Sequence, residues 1–216
     1  MNNIIIFEGE YQEGVRKGKE YYTKHKGQVK FEGEYLDGKE WNGKGYNING
    51  ELIFEINNGN GNVKEYNEFN DKLEFEGEYF NGERNGKGKE YYYNGNLKNE
   101  GEYLNGKKNG KFKEYNEEGN LKYEIEYLNG KRSGKYKEYD DHGNLKTEVE
   151  FLNGKIWNGK WKTFDEYRES YEGEYLNGKR HGQGKEYYCN GKLRFECEYL
   201  NDKKMEKEKN IVLQVN

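Results

Sequence analysis

The sequence predicts an all-β protein, an elongated single-layer antiparallel sheet of about nine tandem β-hairpins. Three observations predict it. One stretch, clearest as LEFEGEYFNGERNGKGKEYYYNGN at 73–96, recurs along the chain. Within it apolar residues alternate with glutamates, which is the period of a half-buried strand. Asn and Gly cluster between the extended runs, and both residues tolerate the positive φ that hairpin turns require.

The repeat has a fixed period. From Gly77 onward its anchor position recurs every 24 residues without exception. Such a period is typical of an array in which each small unit stacks on the next. We expect the array to occupy residues 1–202, followed at 203–216 by a charged connector and a carboxyl-terminal capping strand. The anchor residues are Gly9, Gly33, Ile56, Gly77, Gly101, Ile125, Val149, Gly173 and Cys197.

Changes between copies predict which residues face each other across a hairpin. If Gly77 lies opposite Gly88, then Glu76 faces Lys89. Opposite charges paired across a ladder contribute roughly 0.2 to 1 kcal/mol each. The high charged fraction, 36%, is therefore interpreted mainly as a Glu/Lys ladder on one face. The same offset predicts the pairs Gly101 with Phe112, Ile125 with Tyr136, Val149 with Trp161, and Gly173 with Gly184.

Some copies depart from the pattern. The second and seventh are one residue longer between their strands, which predicts Trp41 and Trp157 at loop tips. The third, around 56–62, has lost residues and the GEY signature, so we expect a bend or a hinge there. Residues 4–7 are apolar and are predicted to cap the amino end of the array, because an open sheet edge must be protected.

The segment YEGEYLNGKRHGQG at 171–184 closely resembles the MORN repeat, and similar segments cover about 7–201. The copies are similar to a longer variant found in bacterial and protist proteins. The resemblance implies a tandem-hairpin fold without catalytic activity and allows membrane or phosphoinositide association. Some bacterial relatives are labelled antitoxins. Where the family has an aromatic residue in the second strand, this chain has Glu90, Glu114, Glu138 and Glu186, which puts any binding property of that aromatic in doubt.

Composition narrows the function classes. The net charge of −4 is too small to indicate nucleic-acid binding. No run of 18 apolar residues is present, so we expect no membrane span. Cys189 and Cys197 have no partner cluster and are interpreted as free thiols of a cytoplasmic protein, with a disulfide as the alternative.

Catalytic signals are weak. His25, His142 and His181 fall in different copies, too far apart in a linear array to share a metal. No serine motif with a local base occurs, and the repeating carboxylates contain no distinct acid/base pair. We therefore expect no enzyme activity, no cofactor, no metal and no small-molecule substrate.

Two surfaces remain as candidate binding sites. The first is an aromatic face, which is either the core of the sheet or a groove for a protein partner or a second copy; its candidate residues are Tyr79, Tyr103, Tyr127, Phe151 and Tyr175. The second is a ridge of basic loop tips, which are either solvated turns or contacts to an anionic membrane surface; its candidates are Arg84, Lys107, Lys108, Lys131, Arg132, Lys179 and Arg180.

The sequence thus favours a scaffold that binds a protein partner or self-associates. The alternatives are a peripheral module that binds anionic phospholipid and an antitoxin-like partner of a bacterial toxin.

Overall fold

The computed structural model describes residues 6–164 and 170–205. The regular secondary structure of these residues consists of β-strands, which confirms the predicted all-β class. The predicted capping strand at 211–215 and residues 4 and 5 of the predicted amino-terminal cap lie outside the described residues, while Phe7 begins β1. The strands are β1 (Phe7–Gln12), β2 (Val15–Tyr21), β3 (Val29–Leu36), β4 (Lys39–Tyr46), β5 (Leu52–Ile56), β6 (Gly61–Tyr66), β7 (Leu73–Phe80), β8 (Glu83–Tyr91), β9 (Leu97–Leu104), β10 (Lys107–Tyr115), β11 (Leu121–Leu128), β12 (Lys131–Tyr139), β13 (Leu145–Leu152), β14 (Lys155–Phe164), β15 (Ser170–Leu176), β16 (Lys179–Tyr187), β17 (Leu193–Leu200) and β18 (Lys203–Met205).

The chain divides into two compact units. Unit 1 comprises residues 1–131 and 139–144, and unit 2 comprises 132–138 and 145–216. In unit 1, β1 to β5 form a sheet in sequence order, and β6 to β11 follow one another in the same way. In unit 2, β13 to β18 are again neighbours in sequence order. Each unit is therefore built from sequential antiparallel hairpins, as the repeat predicts.

The hairpin turns are shorter than the sequence suggested. Asn81 and Gly82 have φ values of 53° and 70°, and β8 begins at the next residue. This is a two-residue turn with positive φ at both positions, which matches the right-handed twist of the flanking strands. The predicted position of Arg84 at a loop tip is therefore wrong, because Arg84 already lies in the strand.

Successive turns are tied together. The Gly106 N–H donates a hydrogen bond of 2.9 Å to the carbonyl of Arg84 in the preceding hairpin. The same bond joins Gly130 to Lys108 in unit 1, and Gly154 to Arg132 in unit 2. Each turn thus satisfies one backbone donor with an acceptor from the copy before it.

Most of the tested strand register is as predicted. Gly77 faces Gly88 and Glu76 faces Lys89. The predicted pairs Gly101 with Phe112 and Gly173 with Gly184 are also formed.

The exception is the seventh copy. Val149 lies opposite Gly159, not Trp161, and Trp161 lies opposite Gly173 of the next hairpin. The turn of this copy keeps its two residues, Asn153 and Gly154, whereas β14 has ten residues and β16 has nine. The extra residue therefore lies in the strand and not in the loop, and the ladder shifts between Glu150 and Phe151. Trp41 and Trp157 accordingly lie within β4 and β14, so their predicted positions at loop tips are wrong.

In unit 1 the third copy interrupts the strand ladder, and the bend or hinge expected there stays a prediction. β5 pairs with β4 and β6 pairs with β7, while only the bridge between Asn57 and Asn60 joins the pair itself. Side chains from both sides of this break form one buried cluster of Phe31, Tyr35, Ile56 and Val63. The loss of residues in this copy therefore interrupts the hydrogen-bonded ladder between β5 and β6, and the buried cluster joins the two sides of the interruption.

Residues 203–205 differ from the predicted domain boundary. They form β18, which pairs with β17 as the second strand of a hairpin. The array therefore extends through Met205, and the connector predicted from 203 begins no earlier than 206.

Candidate functional site

The aromatic side chains form the core of each unit. In unit 1, Phe75 and Phe112 are 0% and 1% exposed, and Tyr103 packs edge-to-face against both at centroid distances of 5.5 and 5.3 Å. In unit 2, Tyr136 and Phe151 pack against Trp161. This arrangement agrees with the interpretation of the aromatic face as core.

The five predicted partner-binding residues belong to this core. Tyr103 and Phe151 are buried, and the other three are half-buried. The tyrosine hydroxyls that could have served a ligand are occupied by neighbouring side chains. Among the described residues these side chains form a packed core and do not line the open groove that was the other prediction. They are Tyr79, Tyr103, Tyr127, Phe151 and Tyr175.

A carboxylate from the preceding hairpin receives most of these hydroxyls. In unit 1, Tyr103 donates to Glu90 at 2.9 Å, and Glu90 also accepts from Asn99 at 2.6 Å. Tyr127 donates to Glu114 at 3.0 Å. Thus the glutamates that replace the family's second-strand aromatic connect one hairpin to the next.

Cations complete the clusters. Arg84 bonds to both Glu65 and Glu90, at 2.7 and 3.2 Å. Burial by itself would raise the pKa of Glu90, but the hydrogen bonds from Asn99 and Tyr103 and the nearby Lys108 and Arg84 hold it below its ordinary value. Glu90 is therefore ionised at neutral pH within a satisfied polar network.

Unit 2 contains the same cluster at Glu186. Its carboxylate accepts from Tyr199 at 2.8 Å and pairs with Arg180 and Lys204 at 2.9 and 2.8 Å. Burial opposes ionisation, but Lys204, Tyr199 and Arg180 together lower the pKa of Glu186. Where Thr163 occupies the glutamate position, its hydroxyl bonds to that of Tyr175 at 3.0 Å.

The predicted basic ridge separates into two sets. Arg84, Lys108, Arg132 and Arg180 lie on the aromatic face, because they pair across the turn with the residue of the aromatic row or stack on its rings. The guanidinium of Arg84 lies 3.8 Å from the Phe75 centroid, a cation–π contact. These four side chains are half-buried against the aromatic face, so their predicted position at solvated loop tips is wrong, while a contact with lipid stays a prediction. Lys107, Lys131 and Lys179 are exposed, as predicted.

The exposed lysines lie next to exposed leucines, which the sequence analysis did not identify as a candidate surface. In unit 2, Leu152, Leu176 and Leu200 are 42%, 43% and 45% exposed, and each lies opposite a lysine at the start of the following strand. Among the described residues these lysines have no carboxylate partner within ion-pairing distance. We call this set the Leu–Lys stripe of unit 2, and it consists of Leu152, Lys155, Leu176, Lys179, Leu200 and Lys203.

Unit 1 has two equivalent pairs, Leu104 with Lys107 and Leu128 with Lys131, each flanking an Asn-Gly turn. The signal was present in the sequence. In six of the nine copies a leucine directly follows the tyrosine or phenylalanine, and alternation along a strand places it on the opposite, solvent-facing side.

Other site chemistries have little support in the part of the chain that the structure describes. No group of three or more His, Cys, Asp or Glu side chains there is placed to hold a metal ion. Cys189 and Cys197 are free thiols. None of the described residues belongs to a helix long and apolar enough to span a membrane.

Comparisons with known proteins agree with the repeat pattern. The family model described as MORN repeat matches residues 75–97, 100–111 and 171–192. The model described as MORN repeat variant matches 108–129 and 132–153. No curated protein matches the chain. Repeats of this family are generally non-enzymatic modules that bind proteins or membranes.

Proposed function

Because this chain is a MORN-repeat protein, we propose that it is a non-enzymatic scaffold that docks a protein partner on the Leu–Lys stripe of unit 2. One observation carries the proposal. Three consecutive hairpins present the same exposed leucine opposite the same exposed lysine. Aligned apolar side chains with polar neighbours are typical of interaction surfaces.

The charges around the leucines favour a protein over a membrane. Each leucine has a lysine directly opposite it across the hairpin, whereas Glu150, Glu174 and Glu198 precede each leucine by two residues and share its face. These glutamates are exposed, so an anionic membrane would be attracted by the lysines and repelled by the glutamates beside them. A protein can present both charges in the matching places.

Partner capture from the native cell tests the proposal. We expect a variant with Leu152→Thr, Leu176→Thr and Leu200→Thr to lose partners that the unchanged chain retains. The matched control changes Leu145→Thr and Leu193→Thr, which are 51% and 50% exposed at the other end of their strands. Equal capture by both variants would contradict docking on the stripe.

Anionic phospholipid binding is a second candidate, favoured by the exposed lysines. Each lysine near an anionic surface contributes about 1 kcal/mol. On this function, Lys155→Ser, Lys179→Ser and Lys203→Ser together would abolish salt-sensitive cosedimentation with phosphatidylserine–phosphatidylcholine vesicles. Lys160→Ser, on an exposed residue of β14 away from the turn, is the control. Unchanged cosedimentation of the triple variant would reject this candidate.

The toxin-partner alternative rests only on the resemblance to bacterial relatives, and it predicts a toxin gene beside the gene for this chain.

A further inference from the structure

The spacing of the Leu–Lys stripe restricts the shape of its partner. Leu152, Leu176 and Leu200 end β13, β15 and β17, so successive leucines are two strands apart. With neighbouring strands about 4.8 Å apart, the step between leucines is about 9.6 Å. A straight segment lying across the hairpins must therefore present an apolar group at about this interval.

An α-helix meets this spacing. Residues seven apart in a helix return to nearly the same face after a rise of about 10.5 Å. In an extended strand the residue about 10 Å away is the third, which points to the opposite face. A polyproline helix repeats at about 9.3 Å, but its recognition depends on aromatic-lined grooves, and the stripe is aliphatic.

The charges specify the residues of such a helix between and beside its apolar positions. Lys155, Lys179 and Lys203 lie directly opposite the leucines across each hairpin, so lysines and leucines alternate along the stripe. These lysines have no carboxylate partner among the described residues, so the helix should present an acidic residue between successive apolar ones. Two residues farther from the turn than the leucines, Glu150, Glu174 and Glu198 are exposed, so the flank of the helix on that side should be neutral or basic. Of the three glutamates, Glu150 already accepts a hydrogen bond from Asn158, at 2.8 Å.

From this spacing and charge pattern we infer that the stripe binds an amphipathic helix with an apolar residue at every seventh position, an acidic residue between successive apolar ones, and a neutral or basic flank on the side of the glutamates. The inference rests on the proposed docking function and specifies its partner. The three leucines contact the apolar face of the helix, and the three lysines pair with its acids.

Designed peptides test the inference against the full chain. The probe is a peptide with leucine at every seventh position, glutamate three residues after each leucine, and lysine on the flank that faces the exposed glutamates of the chain. Its helicity is verified by circular dichroism. We expect saturable binding by fluorescence anisotropy. A peptide of the same composition with the leucines displaced from the seven-residue spacing should bind at least tenfold more weakly.

Charge exchange supplies the decisive arm. The variant with Lys155→Glu, Lys179→Glu and Lys203→Glu should bind the probe at least tenfold more weakly. A second peptide, whose glutamates are replaced by lysines, should recover binding to that variant. Because all three positions are exposed, the variants should keep the far-ultraviolet spectrum of the unchanged chain.

The outcomes separate the helix inference from the docking function. If neither spacing nor charge exchange alters peptide binding, the helix inference is overturned; if the leucine variant still loses its captured partner, the docking function stands. If the leucine variant loses nothing, the docking function is overturned as well. Binding to anionic vesicles with no binding of the probe would replace the helix with a membrane surface.

Discussion

At the scale of single residues, Glu40 is an acid at a position that carries a cation in most hairpins. Glu40 lies across the turn from Tyr35, and the matching position in the seventh copy carries Ile156. In five other hairpins the matching residues are Arg16, Arg84, Lys108, Arg180 and Lys204. The pKa of Glu40 is raised from 4.5 to about 7, mainly by burial; Lys30 opposes the rise, and the nearby Glu20 and Glu65 add to it. An acid thus occupies a position built for a cation.

This predicts an unusual pH dependence in the neutral range. Because the folded state favours the protonated form of Glu40, its contribution is most favourable below pH 4.5 and declines until the pH passes about 7. The size of the pKa shift limits the contribution of Glu40 to the free energy of unfolding to about 3 kcal/mol. We expect Glu40→Gln to raise the free energy of unfolding at pH 8 and to flatten its change between pH 5 and 8, measured by urea denaturation.

The control for Glu40→Gln is Glu118→Gln, at an exposed turn residue, which should leave the pH profile unchanged. Identical profiles for Glu40→Gln and the unchanged chain would show that Glu40 does not titrate in this range.

The hydroxyl of Tyr103 gives a second residue-level prediction. Tyr103→Phe keeps the buried ring and removes the donor to Glu90. A hydrogen bond to a charged group contributes about 1.5 to 3 kcal/mol, so we expect a loss near the lower value, because Asn99 and Arg84 still bond to Glu90. Tyr93→Phe, at a ring 69% exposed, should cost less than about 0.5 kcal/mol. Equal losses in thermal unfolding would contradict a role for this hydroxyl.

At the scale of the hairpin, the two-residue turn sets the geometry. Gly106 has a φ of 75°, which a residue with a Cβ adopts only with strain. Gly106→Ala should destabilise unit 1 by about 1 kcal/mol, measured by chemical denaturation. Lys111→Ala, on the exposed side of β10, serves as the control, and a loss in the control as large as that in Gly106→Ala would count against the turn strain.

The turn also explains how much of the structure the sequence could predict. Alternation and Asn-Gly pairs are local signals, so strands, hairpins and the Gly77–Gly88 register followed from them. The position of Arg84 could not be predicted from these local signals. Placing Arg84 at a loop tip required a turn two residues longer than the actual one, which leaves Arg84 in the strand opposite Tyr79. The bulge in β14 was missed for a related reason, since sequence length alone does not show whether a strand or a loop absorbs an extra residue.

At the scale of the whole molecule, stability should be distributed hairpin by hairpin. In such arrays each repeat contacts mainly its neighbours, and unfolding can spread from one place. Phe112 is 1% exposed and packs against rings of β9 and β11, so Phe112→Ala should cost about 3 to 5 kcal/mol locally.

Hydrogen exchange with mass spectrometry measures this distribution. We expect Phe112→Ala to reduce amide protection in β9 to β11 more than in β1 to β3 of the same unit. Phe69→Ala, at a ring 76% exposed, should reduce protection in neither region. Uniform loss across unit 1 would indicate a single cooperative domain.

The bond from the Gly106 amide to the Arg84 carbonyl has a direction, from a later hairpin to an earlier one. During synthesis Arg84, which carries the acceptor, leaves the ribosome before Gly106, which carries the donor. The new turn therefore forms next to a hairpin that has already been synthesised. The chain can therefore gain order one hairpin at a time from its amino end, without waiting for residues still to be translated.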